Sequence, residues 1–212
     1  MAKRKLYDEP LEHVALSDYE EHMKRDDVQQ LQTLSAIMQK QLTAYAAPSV
    51  AVLGVAGGNG LEHVDTRRIS RVYGIDINAQ YLNTCQERFS HLDDRLCVMR
   101  LNLRGDACML PEADLVIANL FIEYIGADAF VHHMNKAQPQ YISCVIQKNG
   151  DVPFISNSPY QHALMKLSEI HSDIDASALT DGLAGIGYRL MLTEEYPLPN
   201  GKSLIRLDYT RQ

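Results

Sequence analysis

The stretch from Val50 to Ile77 constrains this chain more than any other. It holds a short apolar run, a glycine-rich turn, a brief amphipathic segment, and a second apolar run closed by an acid. Val50–Val55 reads as a buried strand, Gly54–Gly60 as the turn, Leu61–Arg68 as a short helix and Val72–Ile77 as a second strand. The same alternation continues. Asn78 is placed to cap a helix presenting Leu82, Cys85 and Phe89, followed by strands at Leu96–Leu103 and Leu115–Asn119. Phe130, Val131 and Met134 mark a further helix before a strand at Tyr141–Gln147. Strands separated by helices pair in parallel and carry helices on both faces of one sheet.

The two ends of the chain differ from this middle. Before Pro48 the pattern is helical: Ser17 and Glu20 have capping-box spacing ahead of Asp18–Lys24, and apolar residues recur helically from about Asp27 to Tyr45. Ser158-Pro159 heads a helix through Leu164, Leu167 and His171, and Asp175 caps another that stops at Gly187. Arg189–Tyr196 and Ser203–Thr210 flank Asn200-Gly201, a hairpin signal. The expected fold is α/β and Rossmann-like: a seven-stranded, mostly parallel sheet closing in an antiparallel C-terminal hairpin. An N-terminal helical lid over residues 1–47 precedes a core over 48–212, all one domain.

Composition removes several alternatives. A net charge of −7 with scattered basic residues argues against binding nucleic acid, and the one basic cluster, Lys3-Arg4-Lys5, reads as a solvated tail. Cys85, Cys97, Cys108 and Cys144 form no Cys-x-x-Cys pair and have no histidines at ligand spacing, so they read as reduced, buried thiols without a metal. No apolar run is long enough to cross a membrane, and no signal core is expected at the start. The expectation is a cytoplasmic protein acting on a small molecule, with monomer and homodimer both open.

The turn and the acid together point to chemistry. Glycines allow close backbone approach, and a helix start would offer unpaired N–H groups to an anion or carboxylate. Asp76 ends the next strand over, where its two oxygens are placed to accept both hydroxyls of a ribose.

With these features the chain resembles the class I S-adenosylmethionine-dependent methyltransferases from about Val50 onward. Their first motif, acid-x-Gly-x-Gly-x-Gly after a strand, is matched by Gly54-Val55-Ala56-Gly57-Gly58-Asn59-Gly60. Gly54 stands where the family has Asp or Glu, and Ala56 replaces the first glycine. The resemblance implies S-adenosyl-L-methionine as cofactor, with Asp76 on the ribose, Ile77 over the adenine, Asn102 and Leu103 at the adenine edge, and Asn119 and Leu120 by the methionine moiety. Asp106 rivals Asn102 if the third strand runs longer. A dehydrogenase using NAD shares the turn and acid. Its Gly-x-Gly-x-x-Gly pattern, read from Gly58, fails at His63.

Methyl transfer from a sulfonium needs mainly alignment of the acceptor, with a base only where a proton must leave early. The loop Asn119–Tyr124 lacks the Asn-Pro-Pro-Tyr or Asp-Pro-Pro-Tyr of the nucleobase and protein-amide methylating relatives, which favours a small-molecule acceptor. Glu123 and Tyr124 lie near the expected mouth. Tyr19, His22 and Met23 are lid candidates, with His22 a candidate base. His132 and His133 read as surface residues, and Asn157–His171, carrying Tyr160 and His162, as a second lid wall. A protein that senses S-adenosylmethionine or its product without turnover is the alternative.

Overall fold

The computed structural model describes residues 12–105, 108–150, 152–156 and 158–212. Lys3-Arg4-Lys5, Asp106 and Asn157 lie outside these residues. The strands are β1 (Ser49–Leu53), β2 (Arg71–Asp76), β3 (Leu96–Arg100), β4 (Leu115–Asn119), β5 (Tyr141–Lys148), β6 (Tyr188–Pro197) and β7 (Ser203–Arg211). They form one sheet in the order β3-β2-β1-β4-β5-β7-β6, parallel except where β7 runs against both β5 and β6. The order reverses between β1 and β4, so a crevice opens at the carboxyl ends of the central strands.

Alternate residues of each central strand explain the layers. Ala51 and Leu53 of β1, with Val116 and Ala118 of β4, pack in one core with α5 (Ala127–Ala137) and α7 (Ala176–Ala184). Val50, Val52, Leu115 and Ile117 face the other way, toward α2 (Gln30–Ala44) and α3 (Ala79–Arg88). Strands buried on both faces read as continuous apolar runs. Of the N-terminal segment read as a lid, α2 is therefore part of the sheet's cover, and α1 (Leu16–Lys24) is the helix that reaches the crevice.

Several local expectations are corrected. Ser17 lies inside α1, whose N-cap is Ala15 with no side-chain bond, because Glu20 turns outward to Arg88 instead of closing a capping box. The next helix starts at Gln30, after Gln29 in a left-handed conformation. Leu61–Arg68 holds only a single 3-10 turn, Leu61–His63; Glu62 folds back to accept the Gly60 N–H at 2.8 Å, and Asp65 then accepts the Arg67 N–H. The third strand ends at Arg100, leaving Asn102-Leu103 in a turn. The helix after Ser158-Pro159 is α6 (Gln161–Ser168), which stops before His171. His133 is buried at 2% exposure with Nε2 2.9 Å from the Leu103 carbonyl, so the pair is not a surface pair. All four cysteines are free, but Cys97 and Cys108 are half-buried rather than buried. Asn78 and Asp175 cap α3 and α7 as their sequence context indicates.

Candidate functional site

Backbone hydrogen bonds bring the glycine turn and Asp76 together. The N–H groups of Gly54 and Val55 donate to the Ile75 carbonyl at 2.8 and 3.0 Å, closing the turn onto β2. Asp76 Oδ2 then accepts the Ala56 N–H at 3.0 Å, and Oδ1 accepts the Asn78 N–H at 2.9 Å. The carboxylate is 9% exposed, and burial raises its pKa while the Asn78, Ala56 and Ile77 backbone groups oppose that. The acceptor capacity these backbone groups leave is what a ribose diol would use.

A cleft of about 780 Å³ lies over these groups. Of the residues expected to hold a cofactor, Gly54, Ala56, Asp76 and Ile77 line it, as do Asn102, Leu103, Asn119 and Leu120. Val55, Gly58, Asn59 and Gly60 do not. Val55 packs in the core, and the Asn59 amide donates to the Leu31 carbonyl at 3.0 Å. A Cβ on Gly58 would meet Phe89 at 2.5 Å, and one on Gly60 would meet Met38 at 2.5 Å. These glycines let α2 and α3 approach the turn rather than opening it to a ligand.

Gly54 is different. Its φ is +67°, and a Cβ there would lie 2.7 Å from the Phe121 ring, so Phe121 fills the place where the resembled family carries its acid. Asn119, closing β4, is tied by a reciprocal amide pair to Gln41 at 2.9 Å in each direction. Gln41 also donates to Ser143 Oγ at 2.9 Å, which reaches the wholly buried Arg206–Asp208 ion pair. Leu120 follows with a φ of +52°, an uncommon backbone for a branched side chain, held by its N–H on the Val145 carbonyl at 2.8 Å. This turn carries the chain into α4 (Ile122–Ile125).

A second chamber, of about 470 Å³, shares Tyr19, Leu120, Tyr124 and Leu167 with the first. All three residues expected to act on a substrate line it: Tyr19, His22 and Glu123. His22 is 6% exposed, its Nδ1 lies 2.8 Å from Ser158 Oγ, and burial lowers its pKa, so the ring is neutral near pH 7. Burial raises the Tyr19 hydroxyl, assisted by Asp76 and Glu123 on either side. Glu123 is 2% exposed; Oε1 accepts the Gln147 N–H at 2.8 Å, and burial lifts the carboxyl to about 7.

The wall after β5 is present, but Phe154, Ile155, Leu164 and Leu167 build it, not Tyr160 and His162. Phe154 stacks on His171 at 3.5 Å between ring centroids. Sequence reasoning missed Phe121, Phe154 and Gln147. The apolar run Leu120-Phe-Ile around Glu123 was the available sign that this acid is buried. Among the described residues no cluster of three or more His, Cys, Asp or Glu could hold a metal, and no helix is long and apolar enough to cross a membrane.

No protein-family model and no curated protein matches this chain. Solved structures do. The N-methyltransferase NodS from Bradyrhizobium japonicum, in complex with S-adenosyl-L-homocysteine, superposes with a TM-score of 0.66 at 10% identity, over 92% of this chain and 97% of that one. Magnesium protoporphyrin IX methyltransferase from Synechocystis gives 0.59 at 14% identity, over 87% and 83%. The (4+2)-cyclase SpnF gives 0.64 at 8% identity, over 87% and 82%. At such identities the chain shares with these proteins the Rossmann-like fold, and one fold carries more than one chemistry.

Proposed function

We propose that this protein binds S-adenosyl-L-methionine in the first chamber and transfers its methyl group to a small-molecule acceptor in the second. The observation that carries the reading is the pairing of Asp76 with the Ala56 turn at the sheet's switch point, beside a separate chamber that shares Tyr19 and Leu120 with the cleft. The residues present suit the adenosyl half. Asp76 offers its remaining acceptor capacity to a diol, and Ile77, Leu101 and Leu103 offer apolar surface to a base. When bound, the cofactor supplies a methyl group on a sulfonium, which needs no metal and no redox partner.

The chain's own residues then position and shield. Asn119, locked by Gln41, forms part of the first chamber's wall, while Tyr19 and Leu167 cover both chambers and exclude water. His22 and Glu123 are the two groups able to take a proton at the second chamber, through the imidazole ring and Oε2 respectively. A cytoplasmic setting and a chain of one domain belong to the same reading, with α1 of the N-terminal segment 1–47 covering the site.

Two alternatives remain distinct: a protein that binds S-adenosylmethionine or its product without turnover, and a transformation other than methyl transfer, as the shared fold of SpnF illustrates. Incubation with methyl-labelled cofactor and a metabolite extract separates them. Label appearing in a small product supports the transferase; cofactor binding with no labelled product supports the sensor if the extract is unchanged, and another transformation if an unlabelled product appears. His22→Ala tests the base role, which falls if turnover is unchanged.

A further inference from the structure

We propose, building on the adenosyl-binding reading above, that the second chamber accepts a compact, largely apolar amine and that Glu123 Oε2 is the partner of its ammonium group. The argument starts from an unsatisfied atom. Glu123 Oε1 is committed to the Gln147 N–H, whereas Oε2 is fully shielded from solvent and meets no hydrogen-bond donor among the described residues. A buried carboxylate oxygen without a donor is costly unless a ligand supplies one.

The surroundings select the sign of that ligand. Among the described residues no Lys or Arg lines the chamber. Lys202, beside this wall, points its ammonium at the Phe154 carbonyl, and burial lowers it to about 8. On α1, Tyr19 and His22 face the chamber, the second held neutral by burial. Tyr124 faces it from Glu123's own helix, and Asp173, beyond α6, adds only negative charge. Gln30 donates to the Gln147 amide oxygen, and the Gln147 amide nitrogen donates to Asn149. The Phe154 ring is already stacked on His171 and lies under the Lys202 ammonium, so what remains is one carboxyl beside the rings of Tyr19 and Tyr124, whose faces attract cations. An ammonium donates a hydrogen to Oε2 and neutralises its charge. An alcohol does only the first, and an anion is repelled.

A proton count follows. With the chamber empty, burial holds the Glu123 carboxyl near 7, so at that pH it is substantially protonated. Binding an ammonium ionises it: each carboxylic acid becomes a carboxylate paired with the unchanged ammonium and its proton goes to solvent, on average about half a proton per site at a pH equal to the pKa.

The test uses benzylamine, benzyl alcohol and benzoate as probes, by calorimetry in buffers of differing ionisation enthalpy near the carboxyl's own pKa of about 7. Benzylamine is expected to bind with proton release, benzyl alcohol at least about tenfold more weakly, the scale of one charge-assisted hydrogen bond, and benzoate not at all. Glu123→Gln keeps the shape and the Gln147 contact; it is expected to lose both the amine preference and the proton release while still binding S-adenosylhomocysteine. Should that variant fail to fold, Ile155→Trp, which fills the chamber from its wall, is expected to abolish benzylamine binding alone. The inference is overturned if benzylamine does not bind, if alcohol or benzoate binds as tightly, if no proton is released, if Glu123→Gln keeps the amine preference, or if Ile155→Trp still binds the amine. Loss of S-adenosylhomocysteine binding by the wild-type protein would instead count against the adenosyl reading.

Discussion

Asp76 Oδ2 accepts the backbone N–H of Ala56 at 3.0 Å, so the acid at the end of one strand holds the turn leaving its neighbour. Ala56 sits at a φ of +47°, and this bond helps keep a non-glycine residue in that conformation. The same carboxylate is thus both a structural clamp and the candidate ribose partner.

Asp76→Ala is therefore expected to weaken binding of S-adenosylmethionine by about 2–4 kcal/mol, through loss of two charge-assisted bonds and of the clamp. Calorimetry with S-adenosylhomocysteine measures it. Unchanged affinity would remove Asp76 from the site.

Restoring the family's acid should not help this chain. Gly54→Asp places a side chain on a left-handed backbone and against Phe121, so a loss of at least about 1–2 kcal/mol is expected from the backbone alone. In a double-mutant cycle with Phe121→Ala, the pair is expected to be less destabilised than the sum of the single variants. Additive losses would show that Phe121 is not the obstacle.

Glu123 predicts a pH dependence whose sign is fixed. Its carboxyl lies at about 7 in the folded protein against 4.5 ordinarily, so between those values the native state binds more protons than the unfolded one. Stability contributed by this group therefore falls as pH rises from 4.5 to about 7, by up to on the order of 3 kcal/mol, and is flat above. Denaturant titrations of the wild type and Glu123→Gln should diverge across that window, with the variant gaining relative stability at the alkaline end. Parallel curves would contradict the burial of this acid.

The Arg206–Asp208 pair is buried on both sides, with Tyr45 donating to Asp208 at 2.7 Å. Asp208→Ala strands a buried guanidinium, and a loss of about 3–5 kcal/mol is expected in chemical denaturation. The exposed Lys40–Glu194 pair is the internal control: Lys40→Ala is expected to change stability by no more than about 1 kcal/mol.

What was legible in the sequence follows from periodicity. Continuous apolar runs such as Leu115–Asn119 can be read because a strand covered on both faces leaves no polar alternation, and Asn78 and Asp175 can be read because capping is local. Leu61–Arg68 could not be read correctly, because its helical spacing is overruled by side chains that fold back on the turn. The division of the glycines was also hidden. Whether a glycine admits a ligand or a neighbouring helix depends on what packs above it, and Phe89 and Met38 arrive from distant elements. Tyr19, His22 and Glu123 were visible as chemistry-bearing residues near the mouth. Their convergence on one chamber depends on α1 folding across the sheet, which no local pattern encodes.

Tyr19 touches both chambers, and this links them thermodynamically. A ligand that shifts this ring from one side changes the work of filling the other. By reciprocity, the factor by which the nucleoside alters affinity for the second ligand must equal the factor by which the second ligand alters affinity for the nucleoside. An aromatic residue on the first helix thereby makes the coupling of the two ligands a property of the fold, whichever of them binds first.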